Sequence, residues 1–157
     1  YKSYWGDPPS CGVGEQSKSY GGENSFPLIA QNIHRYFLYF ALIFNCILTY
    51  DAWIALWFEN EATGALEFGI GIGTFVLAMN AILLGSYSLS CHSLRHIVGG
   101  HHDMLSNRPM QRAVYRFVSW MNARHMMWAW VSLGWVCFTD IYVRLCAMGI
   151  WTDWRLI

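Results

Sequence analysis

Charged side chains are scarce in this chain of 157 residues: Asp, Glu, Lys and Arg make up 13%, whereas a soluble domain carries about 25%. The ten basic and ten acidic residues cancel, so the chain has no basic field of the kind that attracts nucleic acid. The five cysteines have no regular spacing, which excludes a secreted disulfide scaffold. Hydrophobic residues, by contrast, make up 55% of the chain, and Trp, Tyr and Phe occur nine times each. This composition favours a membrane protein with aromatic residues at two interfaces.

Three apolar regions are long enough to cross a bilayer, whose hydrocarbon core of about 30 Å needs roughly 20 helical residues. They are residues 30–58, which contain the uncharged run "YFLYFALIFNCILTY"; residues 68–98, which open with "FGIGIGTFVLAMNAILLGSYSL"; and residues 113–150. We predict that the third region is one helix whose first turns lie at the membrane surface. The spaced glycines of the second region are followed by no GK[ST], so they predict close helix packing rather than a nucleotide-binding loop.

The predicted fold class is therefore all-α: an integral membrane bundle of three transmembrane helices over residues 26–157. Residues 1–25 are polar and turn-rich, and we predict that they form an extended arm. Within the third span, Asp140 and Arg144 are four residues apart, so one helix face can pair them and lower the cost of their charges.

The basic residues orient this bundle. With three spans, the far side carries only Arg144 and Arg155, whereas the side of the arm and of the 100–112 connection carries eight: Lys2, Lys18, Arg35, Arg95, Arg108, Arg112, Arg116 and Arg124. Cytoplasmic loops carry the excess of Lys and Arg. We therefore predict a multi-pass protein of the cell membrane with its N-terminus in the cytoplasm.

All six histidines fall at this predicted cytoplasmic boundary, four of them within "SYSLSCHSLRHIVGGHHDML" at residues 86–105. His101 and His102 lie in the connecting loop, and we interpret them as interfacial anchors. The other four are brought to a similar depth by three separate helices, which favours a metal site or a proton path; they are His34, His92, His96 and His125.

The cysteines divide in the same way. Cys46, Cys137 and Cys146 lie within apolar helices, where a lone cysteine is usually a small hydrophobic residue. Cys11 of the arm and Cys91 lie on the histidine-rich side. Two thiolates and several imidazoles on one side are the donors of a His₂Cys₂ site, which holds zinc or a Rieske-type 2Fe–2S cluster.

Several phrases of the sequence resemble a known family. "QNIHRYFLYF" resembles the S-x-x-H-R signature of the first anchor helix of succinate dehydrogenases, and "CHSLRHIVGGHHD" resembles the stretch that ends their second helix. "CHSLRHIVGG", "NARHMMWAW" and "TDIYVRL" are similar to the membrane anchor of the actinobacterial type of respiratory complex II. The resemblance implies a membrane-held Rieske-type 2Fe–2S cluster beside a quinone site. Leu89 stands where the classical family has its haem-ligating histidine, which argues against haem and draws attention to Cys91 and His92.

The same resemblance implies the function and the partners. We expect an anchor subunit of succinate:quinone oxidoreductase that passes electrons from an iron–sulphur subunit to a quinone, which we expect to be menaquinone. The flavoprotein and iron–sulphur subunits would be separate chains docked on the cytoplasmic, histidine-rich side, and the dicarboxylate site would lie on a partner. Whether the complex forms homo-oligomers is left open. "TDIYVR" also resembles a T-D-Y quinone motif, but the predicted topology puts Asp140 and Tyr142 toward the opposite face.

Two other functions remain open at this point. In the first, the chain is still a subunit of succinate:quinone oxidoreductase, but its cofactor is a b-type haem bound between two of His34, His92 and His125. A non-redox membrane subunit stabilised by structural zinc belongs to a different class. A transporter is disfavoured because three spans without an inverted repeat do not build one.

A quinone needs donors to its carbonyl oxygens and a proton source. The predicted quinone site consists of Gln31, His34 and Arg35, with Arg95 and His96 opposite. Ordinary interfacial anchoring, or docking of a partner subunit, is the alternative role for Arg35 and Arg95.

The predicted cluster ligands are Cys11 and Cys91 on one iron and His92 and His125 on the other, because all four are at one depth. Cys46 lies about a dozen residues beyond His34, roughly 18 Å deeper in the membrane. Adjacent helical residues diverge by about 100°, so Cys91 and His92 can serve different irons only if the helix loosens between them. His96, on the same face as His92, is the first substitute ligand and His34 the second.

Overall fold

The computed structural model describes residues 26, 33–60, 63–99 and 105–156; for residues 34 and 35 it describes the backbone only. The predicted arm at residues 1–25 lies outside this part, and so do Cys11 and Gln31. Five α-helices and one short hairpin make up the described chain: α1 (Phe37–Ile54), β1 (Trp57–Glu59), β2 (Leu66–Phe68), α2 (Ile72–Leu89), α3 (His92–Gly99), α4 (Pro109–Asn122) and α5 (His125–Ala147). A turn of 3₁₀ helix, Ile33–Tyr36, precedes α1.

Three of these helices are long and apolar enough to cross a membrane: α1 and α2 with 18 residues each, and α5 with 23. At 1.5 Å per residue they measure about 27 Å and 35 Å, which matches a hydrocarbon core of about 30 Å. The predicted all-α class with three long apolar helices is confirmed. A small departure from the all-α prediction is the antiparallel β1–β2 hairpin after α1, in which Trp57 lies opposite Phe68.

The second and third apolar regions are each broken into two helices, where we predicted longer single ones. Ser90 and Cys91 separate α2 from α3, and Ala123 and Arg124 separate α4 from α5. At the second break the Arg124 guanidinium lies 4.6 Å above the Trp120 ring, and its amide donates to the carbonyl of Met121. The surface part and the spanning part of the third region are therefore separate helices.

The described residues divide into two compact units. One unit contains the described residues up to Ala41 together with those of Ser88–His125, and the other contains the described residues of Leu42–Tyr87 and Met126–Ile157. In the first unit, α3 packs along α4. Gly99 permits this contact, because a β-carbon at that position would collide with the Tyr115 ring. The Gln111 amide secures the same pair of helices by donating to the carbonyl of Val98 over 2.5 Å.

In the second unit, the C-terminal segment caps the start of α2. Asp153 accepts the backbone N–H of Gly73 over 2.7 Å and the hydroxyl of Tyr142 over 2.8 Å. A β-carbon at Gly73 would collide with the Asp153 carboxylate, so this glycine makes room for the C-terminal segment. We predicted that it serves helix packing; its neighbour in the structure is instead a capping carboxylate, which satisfies an N–H that the helix itself leaves unpaired.

Two ion pairs lie in the same unit. Asp140 and Arg144 pair along α5 over 2.8 Å, as their spacing predicted, with both side chains exposed. Arg155 reaches Glu67 of the hairpin over 3.5 Å and donates to the carbonyl of Phe68 over 3.1 Å. The Asn60 amide also donates to Glu67, and this hydrogen bond lowers the pKa of the Glu67 carboxyl group.

Candidate functional site

The helix break between α2 and α3 lies at the cysteine and histidine that the sequence singled out. α2 ends at Leu89, and α3 begins at His92, so Ser90 and Cys91 form the link. The amide of Cys91 donates to the carbonyl of Ser88 over 3.2 Å in a tight turn. Because Cys91 stands outside both helices, it and His92 are not held to the fixed 100° divergence of neighbouring helical residues.

Ser90 is the most buried side chain of this region, with 0% of its surface exposed. Its hydroxyl lies 2.7 Å from Nδ1 of His125, and its carbonyl accepts the side-chain N–H of Asn122 over 2.7 Å. These two bonds connect the α2–α3 link to the end of α4 and the start of α5. With Nδ1 engaged by Ser90, a metal bound by His125 would be bound through Nε2, and a fixed second nitrogen is the usual way in which proteins orient such a ligand.

His92 and His125 lie side by side. Their ring centres are 6.3 Å apart and their planes meet at 64°. Two imidazoles on one metal ion, with metal–nitrogen bonds of about 2.1 Å, have ring centres roughly 5 Å apart. His92 is exposed and His125 is half-buried, so a shift of about 1 Å in the His92 ring would bring the pair to that separation.

The other predicted cluster ligands are not gathered with this pair. Cys91 is half-buried beside His92 in the chain, and Cys11 is outside the described residues. Within the described residues, no three side chains of His, Cys, Asp or Glu are close enough together to hold a metal ion. The chemistry of the donors fits the imidazole half of a His₂Cys₂ centre, with Cys91 next in sequence to supply a thiolate.

Arg95 and His96 of the predicted quinone site lie on α3. His96 is 6% exposed, and the Arg95 guanidinium lies 5.5 Å from the centre of the Tyr115 ring. Among the described residues, Nε of Arg95 is a buried donor without a hydrogen-bond partner. A buried donor left unpaired costs about 1–3 kcal/mol, so this N–H is suited to an acceptor that the described residues do not supply.

The remaining members of the predicted quinone site cannot be placed beside these two. His34 and Arg35 belong to the 3₁₀ turn before α1, and their side chains are outside the description, as is Gln31. Sequence reasoning missed Ser90, Asn122 and Tyr115. The available signal for Ser90 and Asn122 was a polar side chain close to a histidine that we singled out: Ser90 precedes His92 by two residues, and Asn122 precedes His125 by three.

Comparisons with known proteins identify the family of the chain. A family model described as actinobacterial succinate dehydrogenase subunit SdhC matches residues 1–149. Among solved structures, a chain of the "Mycobacterium smegmatis Sdh1 complex in the apo form" has 44% sequence identity and a TM-score of 0.73. The alignment covers 91% of this chain and 52% of that chain, so the present chain spans about half the length of its structural relative. No curated protein sequence matches the chain.

Proposed function

The chain belongs to the family of the actinobacterial succinate dehydrogenase subunit SdhC, and we propose that it is the membrane anchor of a succinate:quinone oxidoreductase that holds a Rieske-type 2Fe–2S cluster and delivers electrons to a quinone. The resemblance of "CHSLRHIVGG" and its companion phrases to this family is thereby confirmed. The membership in an Sdh complex of a chain 44% identical supports flavoprotein and iron–sulphur subunits as partners.

The observation that carries the cluster proposal is the His92–His125 pair, with His125 fixed by the buried Ser90 hydroxyl. An ordinary interfacial histidine needs no buried hydroxyl to orient its ring. His92 and His125 would bind one iron, and Cys91 with Cys11 the other. When bound, such a cluster supplies a one-electron carrier whose potential imidazole ligation raises above that of an all-cysteine cluster.

The chain's own residues would bind and orient the quinone. The unpaired Nε–H of Arg95 is a charge-assisted donor for one carbonyl oxygen, and the Tyr115 ring holds the guanidinium in place. His96, three residues before the end of α3, is the group that can hold a proton near that oxygen. Gln31, His34 and Arg35 would complete the site from the start of the first span.

The two buried polar features of the first unit thus have separate proposed roles. The hydrogen bonds of Ser90 with His125 and Asn122 orient the proposed metal ligand His125. The contact with the Tyr115 ring orients the guanidinium of Arg95, the proposed hydrogen-bond donor to the quinone. Oxidation of succinate needs a hydride acceptor, and no side chain in either arrangement is one. We place succinate oxidation on a partner subunit for this reason, with the histidine-rich side and the N-terminus of the anchor in the cytoplasm.

Metal analysis with an optical spectrum of the purified complex tests the cofactor proposal. Iron and acid-labile sulphide beyond what the iron–sulphur subunit contains, with a broad weak absorption, would support a Rieske-type cluster. A sharp band of reduced b-type haem would instead place haem between two of the histidines. Zinc without additional iron would favour a structural, non-redox role for the site.

Arginine variants test the quinone proposal. Arg95→Ala and Arg35→Ala should depress quinone reduction while succinate oxidation with an artificial acceptor survives. Removing one charged donor from a bound carbonyl costs about 1.5–3 kcal/mol, which is roughly a tenfold to hundredfold loss in quinone turnover. Equal loss of both activities would point to assembly of the complex instead.

A further inference from the structure

A row of polar side chains runs along the contact between α3 and α4, where packed helices ordinarily bury apolar ones. On the α3 side, Ser90, Ser93 and His96 follow one another at intervals of three residues, and each is at most 6% exposed. On α4, polar residues at intervals of four and three fall on one helix face. We call the whole row the α3–α4 polar seam; its members are Ser90, Ser93, His96, Tyr115, Ser119 and Asn122.

Contacts at both ends of the seam fix the register of the two helices. At one end, the Asn122 amide donates to the carbonyl of Ser90 over 2.7 Å. At the other end, Gly99 lies against the Tyr115 ring. Because residue numbers rise along α3 as they fall along α4, the two helices run antiparallel.

This register brings two serines to the same level. Ser93 comes three residues after Ser90, and Ser119 comes three residues before Asn122, so the antiparallel helices place Ser93 opposite Ser119. Oγ of Ser93 and Oγ of Ser119 are both buried, and neither has a hydrogen-bond partner among the described residues.

Unpartnered hydroxyls are unusual in these helices. Other helical hydroxyls of the described chain donate to a carbonyl one turn before them, as those of Thr49, Ser86 and Thr139 do. A buried hydroxyl left without a partner costs about 1–3 kcal/mol. Two of them opposite each other therefore indicate a small polar group that bonds to both.

A water molecule meets this requirement. It accepts a hydrogen bond from one hydroxyl and donates one to the other, as buried waters do for polar groups that the protein leaves unpaired. A serine hydroxyl can donate and accept at the same time. Ser119, the water and Ser93 then form a continuous row of hydrogen bonds along which a proton can pass.

The seam leads from the surface to the proposed quinone site. His96 follows Ser93 by three residues on α3 and is 6% exposed, and Nε of Arg95 is buried, so these groups have little contact with bulk water. Ser119 is half-buried, and Arg116, three residues before it on α4, is exposed. The seam therefore connects the water phase beside α4 with the interior beside α3.

We propose that Ser93 and Ser119 bind a water molecule between them and form a path that carries protons from the water phase to the quinone site at Arg95 and His96. The inference rests on the proposed function, since it concerns the protons of quinone reduction. Reduction of a quinone to a quinol adds two electrons, which succinate supplies, and one proton at each of the two carbonyl oxygens. The protons taken up there are replaced from the water phase through the seam. Ser93 and Ser119 are positioning residues, and neither changes its own charge.

Rates of quinone reduction by the complex in ordinary and in heavy water test this path. The variants are Ser93→Ala and Ser119→Ala, alone and together, with Ser86→Ala as the matched control. The double variant should reduce quinone about tenfold more slowly, because positioned proton transfer contributes about 10²–10⁴-fold and stray water restores part of it. The ratio of the rates in ordinary and heavy water should rise, because proton transfer becomes the slow step. Ser119→Thr keeps a hydroxyl and should retain the wild-type rate.

Two further measurements separate a proton path from a structural role. Electron transfer from succinate to ferricyanide, which takes up no proton, should be unchanged in every variant, and so should the EPR signal of the proposed cluster. Ser93→Ala should not raise the unfolding temperature, because its hydroxyl is bonded to water. Removal of a hydroxyl that had no partner at all would instead stabilise the protein.

The path is overturned if the double variant keeps its rate of quinone reduction, or if the rate falls with no change in the ratio between ordinary and heavy water. A higher unfolding temperature of Ser93→Ala, equal losses in Ser119→Thr and Ser119→Ala, or simultaneous loss of ferricyanide reduction would overturn it as well. These results leave the proposed function intact as long as quinone reduction depends on Arg95. Quinone reduction that does not depend on Arg95 would overturn the proposed quinone site and the path with it.

Discussion

The hydroxyl of Ser90 should set how firmly the proposed cluster is held. Ser90→Ala deletes one oxygen atom that lies 2.7 Å from Nδ1 of His125, at a position with no exposed surface. Losing this hydrogen bond at the half-buried His125 ring costs about 0.5–1.5 kcal/mol. The ring is then oriented less firmly, and losing an outer-shell partner of this kind weakens metal binding by about 10–100-fold.

The assay measures iron retained by the purified complex as the concentration of a chelator is raised. Ser90→Ala should release the additional iron at a lower chelator concentration, and the succinate–artificial acceptor activity should remain. Ser86→Ala is the matched control, because the Ser86 hydroxyl donates to the carbonyl of Ile82 in its own helix rather than to a histidine. If the two alanine variants retain iron equally, the Ser90–His125 contact does not orient a ligand and the reasoning from geometry is wrong.

Two further predictions concern topology and packing. A cysteine introduced at Ala62, which lies between β1 and β2 in the sequence, should react with a membrane-impermeant reagent in intact cells, whereas one at Ser106 should not; the reverse pattern would invert the proposed orientation. Gly99→Ala should lower the unfolding temperature of the complex, because its β-carbon collides with Tyr115 and overpacking of this kind costs about 1–3 kcal/mol. Gly134→Ala, which has open space around the added carbon, is the control, and an equal shift in both would contradict the packing account.

The three long helices could be predicted from the sequence because their signal is local. Runs such as "YFLYFALIFNCILTY" are uncharged over a length that a bilayer requires, whatever the rest of the chain does. The helix ends could not be predicted in the same way. The break at Ser90 and Cys91 accompanies a hydrogen bond from Asn122, 32 residues further along the chain, and a contact with His125, 35 residues away. Local sequence patterns do not reveal hydrogen bonds between residues so far apart in the chain.

The candidate site shows the same difference between features set within one helix and features set by contacts between elements. Counting residues from the helix ends predicted that His92 and His125 lie at the same depth in the membrane. This worked because the depth of a residue depends on its position within its own helix. Ser90 and Asn122 were missed because their roles come from side-chain bonds between elements. The purpose of Gly73 was misjudged for a related reason: the sequence suggested packing between helices, but the group that approaches it is the carboxylate of Asp153, 80 residues away.

We propose that two histidines of this chain, His92 and His125, hold an iron–sulphur cluster at the membrane boundary. Low-temperature EPR of the reduced complex tests it, with wild type compared with the His92→Ala/His125→Ala double variant. The wild type should give a signal whose average g value is that of a histidine-ligated 2Fe–2S cluster. The double variant should lose this signal and quinone reduction, and should keep its partner subunits and their iron–sulphur signals. A histidine-ligated signal that persists unchanged in the double variant would contradict the claim.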